Sequence, residues 1–293
     1  MPVLFVGHGS PMNAIARNPF TEAMTRVSAQ LPPPKAVCVV SAHWVTSGAH
    51  VLASQHPRTI HDFYGFPQEL YDVEYPAPGA ADEAAKVASD PEIVADGEWG
   101  LDHGSWSVLR HMYPKADVPA FQLSLDSRRS FKEHLELGRE IASLRERGVL
   151  ILGSGNVVHN LRRIDCSDPH GAYDWAVEFD GRVKKAVDAH DVGSLTAPQK
   201  WGETLLATAH PTVEHYLPLL YCMGATDERD EVSYPFEGFD FGSVSMRAVL
   251  LGDSDEQRGG ESPIFSKRPL PRPLKGRCSH VCDCVLSDPG ERR

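Results

Sequence analysis

A chain of 293 residues is long enough for one large or two small domains, and its 41% hydrophobic content suffices to build and cover a core. Its 29 basic against 40 acidic residues leave a net charge of −11 with no basic stripe, which repels a phosphate backbone and excludes nucleic acid as the expected partner. No stretch approaches the roughly 20 apolar residues of a membrane span, and Met1-Pro2-Val3-Leu4-Phe5-Val6 lacks the basic region of a secretory signal, so no membrane partner and a cytoplasmic location are expected.

Val3 to Val6 reads as a buried strand that ends in the tight loop Gly7-His8-Gly9-Ser10-Pro11. Pro19 to Leu31 reads as a helix stopped by Pro32-Pro33-Pro34. Ala36 to Val40 is the second strand, delivering Ser41-Ala42-His43-Trp44. Val118 to Leu125 and Val149 to Leu152 are two further β-rich runs, with an amphipathic helix from Phe131 to Arg147 before the second. Tyr173 to Ala189 and Glu214 to Gly224 are further helices, the latter with Pro218 near its start, and Ser243 to Leu251 offers a late strand. Strands alternating with helices predict an α/β fold, one domain over residues 1–252 with a central mixed, largely parallel sheet flanked by helices. Residues 253–293 are charged, rich in Pro and Gly and without an apolar face, which predicts a disordered tail.

Open α/β sheets gather polar groups at the carboxyl ends of their strands. Of fourteen histidines, His8, His43 and His159 follow the first, second and Val149–Leu152 strands, and His215 opens the helix after His210-Pro211-Thr212. Glycines beside His8 and before His159 allow sharp turns. Neutral imidazoles converging from distant loops suit a first-row divalent metal at the C-terminal ends of the strands. A single loop histidine is more often merely solvated or hydrogen-bonded, so spacing leaves both readings open.

Six segments carry a resemblance: GHGSP (Gly7–Pro11), SAHW (Ser41–Trp44), HDFYGFP (His61–Pro67), DHGSW (Asp102–Trp106), GSGNVVHN (Gly153–Asn160) and EHYLPLLYCMGA (Glu214–Ala225). Together and in this order they resemble the DOPA-dioxygenase-type branch of the class III extradiol ring-cleavage dioxygenases, related to the catalytic B subunit of protocatechuate 4,5-dioxygenase. The resemblance runs from Pro2 to about Gly252. It implies one divalent metal at His8, His43 and His215, with His159 a fourth ligand or an acid/base beside it, and with His103 on the substrate side. The implied partners are a small catechol-type substrate and O2, and the implied product is a muconic semialdehyde. Wider relatives use two histidines and a carboxylate for Fe(II); here His215, with Glu214 adjacent, makes a histidine-dominated set that also suits Zn²⁺. Zinc has no redox chemistry, so Fe(II) is expected to be the working ion and Zn(II) the ion expected as found. His159 and His103 are the expected proton-transfer groups.

Two alternatives stand beside this reading: a zinc-dependent hydrolase on the same ligands, and a non-enzymatic redox or binding protein that keeps the fold. The chain is expected to be a monomer or small homo-oligomer. Trp44 and Trp106 are candidates to stack on an aromatic substrate, against the commoner fate of core packing. His61 to Pro67 reads as a lid or substrate loop, or as a plain surface turn with aromatic anchors. Asp102 reads as an orienter of His103 or another histidine, or as a helix cap. His50, His56, His111, His134, His170 and His190 have no motif context and read as surface residues, and His210 is left outside the metal set. Cys38, Cys166 and Cys222 are scattered and read as buried thiols of a reducing compartment. Cys278, Cys282 and Cys284 around His280 read as a chance cluster on the tail rather than a zinc site.

Overall fold

The computed structural model describes residues 1–252 of the chain. The proposed tail and its cysteine cluster lie outside the described residues. Eight strands form the main sheet: β1 (Val3–Gly7), β2 (Ala36–Thr46), β3 (Ala49–Leu52), β4 (Ile93–Asp96), β5 (Ala120–Asp126), β6 (Val149–Gly155), β7 (Glu231–Phe236) and β8 (Ala248–Gly252). Their order is β4-β3-β5-β2-β6-β1-β8-β7. The four central strands, β5, β2, β6 and β1, run parallel, whereas β3 joins β5, β8 joins β1 and β7 joins β8 antiparallel. The α/β class with a mixed, mostly parallel sheet is therefore as expected.

The central strands are near-continuous apolar runs because both faces of the sheet are covered, and β1 and β6 are buried along their whole length. Successive residues of β6 show what covers each face. A Cβ on Gly153 would strike Pro218 and Cys222 of helix α5 (Leu217–Gly224), while the next residue, Ser154, bonds the Gly104 carbonyl of helix α2 (His103–Met112). Helix α1 (Pro19–Gln30) packs on α2, and helix α3 (Phe131–Glu140) packs on α5. Helix α4 (Asp174–Asp188) completes the longer helices. Capping boxes at Asn18/Thr21 and Ser130/Glu133 start α1 and α3 by satisfying their first free N–H groups.

Several boundaries moved, each for a local reason. The helix expected from Phe131 to Arg147 tightens into a 3-10 turn at Ile141–Arg147, and Gly148 ends it at φ 82°. The helix expected from Glu214 begins at Leu217 with Pro218 in its first turn, where no N–H is required, so His215 lies on the turn before it. The late strand is split, with β8 preceded by a short Val244–Ser245 strand. Strand β2 does not stop at Val40 but runs on to Thr46, and its pairing with β5 slips between Val40 and Val45. This irregularity places His43 inside a bulged stretch rather than after a strand end. The flanking strands β3, β4 and β7 and helix α2 had not been foreseen.

Cys38 and Cys222 are buried free thiols, whose pKa values burial pushes up. Cys166 departs from the expectation in being only half-buried. His134 also departs from it, being buried on α3 with Nδ1 3.0 Å from the Tyr221 hydroxyl of α5. No helix among the described residues is long and apolar enough to cross a membrane.

Candidate metal centre

His8 leaves the end of β1 with its backbone N–H bonded to Gly155 O at 3.0 Å, so the ends of β1 and β6 are tied together. Gly155 is required there. A Cβ would collide with the His215 carbonyl, which accepts the Asn156 N–H at 2.9 Å and brings the turn before α5 over the sheet edge. His43 arrives from the β2 bulge, which Asp102 holds in place. The Ser41 hydroxyl donates to Asp102 Oδ1 at 2.7 Å and accepts the His43 N–H at 3.2 Å. Asp102 also caps α2 through the Ser105 N–H and accepts from Gln122 Nε2 at 2.7 Å. Asp102 thus does not orient the His103 ring; it shapes the bulge and the start of the helix. Burial pushes its carboxyl up to about 6.

The ring hydrogen bonds decide where each imidazole directs its lone pair. The Ser154 hydroxyl donates to Gly104 O at 2.5 Å, so it can only accept from His8 Nδ1–H at 2.9 Å. That leaves His8 Nε2 as a bare lone pair. His43 Nδ1 lies 3.3 Å from Asp62 Oδ2, and His215 Nδ1 lies 3.2 Å from Glu214 Oε1. Both carboxylates call for the proton on Nδ1 and leave Nε2 bare. His8 Nε2 and His43 Nε2 are 3.0 Å apart. Two lone pairs facing each other at that distance repel unless a cation lies between them. Two nitrogens on one ion at about 2.0–2.1 Å can approach that closely.

One ring nitrogen from each of His8, His43 and His215 lies within 4.8 Å of the others. This donor set fits one divalent metal. Burial, then neighbouring histidines, holds the pKa values of His8 and His215 down, the latter to about 3. Burial likewise lowers His43 and His159. Neutral imidazole is the form a metal needs.

His159 stacks on His215, with ring centroids 3.5 Å apart and planes inclined at 6°. Its ligand atom groups with Glu214 and His215 rather than with His8 and His43. His103 is 5% exposed at the first turn of α2, its ring centroid 3.9 Å from that of His43. Asp62 Oδ1 accepts the His103 backbone N–H at 2.8 Å and Oδ2 accepts its Nδ1–H at 2.9 Å.

All five histidines line a cavity of about 590 Å³. Its aromatic wall is Phe63, Tyr64, Phe66 and Phe241, and Arg162, Asp240 and Glu214 also reach it. Trp44 and Trp106 do not, which corrects the expectation that they stack on a substrate. Trp44 is 3% exposed and stacks on Trp99, while Trp106 is fully buried and donates to the Ile60 carbonyl at 2.8 Å. The bulky rings went into the core because their apolar area is large and, for Trp106, the N–H finds a partner there. The segment His61–Pro67 contributes Phe63, Tyr64 and Phe66 to the wall instead. His210, left outside the metal set, turns its Nε2 to the Val157 carbonyl at 2.8 Å and does not line the cavity.

Sequence reasoning missed the roles of Asp62, Ser154 and the phenylalanines. Asp62 and Phe63 lie in a segment whose motif had been noted, and Ser154 lies in another, but what they touch depends on contacts distant in sequence.

Comparison with known proteins agrees with the geometry. Residues 3–245 match the model of the catalytic LigB subunit of aromatic ring-opening dioxygenase. The chain is 45% identical over 262 residues to the 4,5-DOPA dioxygenase extradiol of Escherichia coli (strain K12), covering 86% of this chain and 95% of that protein. It is 36% identical over 255 residues to the Beta vulgaris protein of the same name, covering 82% and 92%. The crystal structure of an uncharacterized Escherichia coli K12 protein superposes with a TM-score of 0.75 at 40% identity, over 86% of this chain and all of that one. Fold, histidine cluster and relatives thus agree, and the chain belongs to the family of catalytic LigB subunits of aromatic ring-opening dioxygenases.

Proposed function

We propose that this dioxygenase performs extradiol cleavage of a catechol-type, DOPA-like substrate with O2, giving a muconic semialdehyde. It uses one divalent metal held by His8, His43 and His215. The observation that carries the reading is the approach of the bare Nε2 atoms of His8 and His43 to 3.0 Å, beside His215, in an aromatic-walled cavity. The relatives named for DOPA cleavage support the substrate class. The working ion is Fe(II), which when bound supplies the electron that O2 needs and that Zn²⁺ cannot give.

The protein's own groups do the rest. Phe63, Tyr64, Phe66 and Phe241 offer ring faces to a flat aromatic substrate and reduce water access. His159, neutral because burial lowers its pKa, takes the proton of the second phenolic hydroxyl. Its stacking on His215 holds it beside the metal-binding nitrogens, so it serves as the base and not as a fourth ligand. His103 faces the cavity as the second proton-handling group. A metal-hydroxide hydrolase would need neither the aromatic wall nor two extra imidazoles, and the family match favours ring opening.

The test is anaerobic reconstitution of metal-free protein with Fe(II) or with Zn²⁺, followed by DOPA or catechol and air. O2 uptake with a yellow semialdehyde absorbance from the Fe(II) sample alone is the expected result. No uptake across a catechol panel, with a hydrolysable ester turned over by the zinc form, would overturn the reading.

A further inference from the structure

Asp62 stands out as a carboxylate shared between two imidazoles that the mechanism uses differently. Its Oδ2 accepts from His103 Nδ1–H at 2.9 Å and lies 3.3 Å from His43 Nδ1, while its Oδ1 takes the His103 backbone N–H at 2.8 Å. The backbone contact fixes the carboxylate against the first turn of α2, so its second oxygen cannot swing away from the two rings. An ionised carboxylate only accepts, so the hydrogen bond from His103 places its proton on Nδ1, and the same oxygen 3.3 Å from His43 Nδ1 favours that tautomer for His43 too. His43 then offers a bare Nε2 to His8 and the metal position. By the same logic, the His103 proton sits on Nδ1 and not on Nε2, and the ring lines the cavity.

We infer that Asp62 is a positioning residue that locks His43 and His103 in the Nδ1–H tautomer, so that His103 enters the reaction as a proton acceptor and donates only a proton it has first received. The inference rests on the dioxygenase reading for what His103 acts upon, and on geometry alone for the tautomers. Written with neutral groups, ring opening adds both oxygen atoms of O2 and keeps every hydrogen of the catechol. The proton that His103 Nε2 takes from a substrate hydroxyl is returned to an oxygen of the opening ring as the O–O bond breaks, and the new carboxylic acid then releases its own proton to water. While His103 is doubly protonated, the Asp62 carboxylate beside it balances the charge.

The position of Asp62 in the chain extends its role. It lies between His61 and Phe63, on the segment that supplies three of the four wall aromatics. His61 Nε2 is bonded to the Val73 carbonyl at 3.0 Å, and the Tyr71 hydroxyl donates to the Phe63 carbonyl at 3.4 Å. The carboxylate that orients the two imidazoles thus sits in a segment also held through His61 and Tyr71, so ring orientation and the aromatic wall share one segment.

The decisive measurement is the ring ¹H–¹⁵N NMR spectrum of histidine-labelled wild-type protein, metal-free and zinc-loaded, with zinc affinity read by chelator competition. His43 and His103 should both show a protonated Nδ1 and a bare or zinc-bound Nε2, with one zinc per chain. Asp62→Asn should scramble the His103 tautomer, weaken zinc about 10–100-fold and lower kcat more than it raises KM. Asp62→Glu should recover part of each. A wild-type His103 protonated on Nε2, unchanged tautomers in Asp62→Asn, or a second zinc bound through Asp62, His43 and His103 would each overturn the inference. If Asp62→Asn fails to fold, the wild-type spectrum alone still decides. The spectrum and the zinc titration read no turnover, so an inactive wild type would sink the functional proposal and leave this inference to its own result.

Discussion

At the scale of single residues, what matters is the nitrogen each histidine does not show to the cavity. Ser154 for His8, Asp62 for His43 and Glu214 for His215 hold the Nδ1 proton and turn Nε2 inward. Removing a ring should therefore cost more than removing its partner. His8→Ala and His43→Ala should abolish binding of one equivalent of metal, as read by metal analysis after desalting. Ser154→Ala should retain the metal but bind it about 10–100-fold more weakly. His159→Ala should keep full metal content and lose about 10²–10⁴-fold in kcat, the range for a positioned proton transfer. Metal loss in that variant would make His159 a ligand.

At the scale of elements, the site depends on how closely α2 and α5 approach the sheet. A Cβ on Gly104 would lie 2.7 Å from Ser41 Oγ and 2.9 Å from His43 Cδ2, too near for either to stay in place. Gly104→Ala should cost about 1–3 kcal/mol in denaturant unfolding and weaken metal binding by displacing His43. On the other face, α3 and α5 are joined by His134 and the Tyr221 hydroxyl, 3.0 Å apart. Burial lowers the His134 pKa from 6.5 to about 4. Between those values the unfolded chain binds a proton there that the folded protein refuses, so stability is full above pH 6.5 and falls as the pH drops toward 4. Unfolding at pH 7 and pH 5 should show wild type losing up to roughly 2 kcal/mol more than His134→Gln over that interval. Equal losses in the two proteins would remove His134 from the acid response.

At the scale of the whole molecule, the sheet, helices and cavity described above draw on residues 1–252. Truncation after that residue should leave metal content and kcat/KM within about twofold of the full chain, and a larger loss would mean that 253–293 contributes to catalysis. The alternation of strand and helix was legible in sequence because periodicity and apolar runs are local properties, and so was the delivery of His8, His43 and His159 to one edge of the sheet. His215 was picked out by its place before a helix, and the motifs added His103. Partnership was not legible. Asp62 follows His61 and Asp102 precedes His103, and adjacency alone cannot tell which carboxylate turns toward a ring. The helix start at His103 folds the Asp102 carboxylate back onto Ser105 and Ser41, while Asp62 crosses 41 residues to take its place. For the same reason the tryptophans went to the core and Phe63 and Phe66 to the cavity. Composition and period say that a ring will be buried, but only the packing of segments distant in the chain decides whether it is buried against protein or left to meet a substrate.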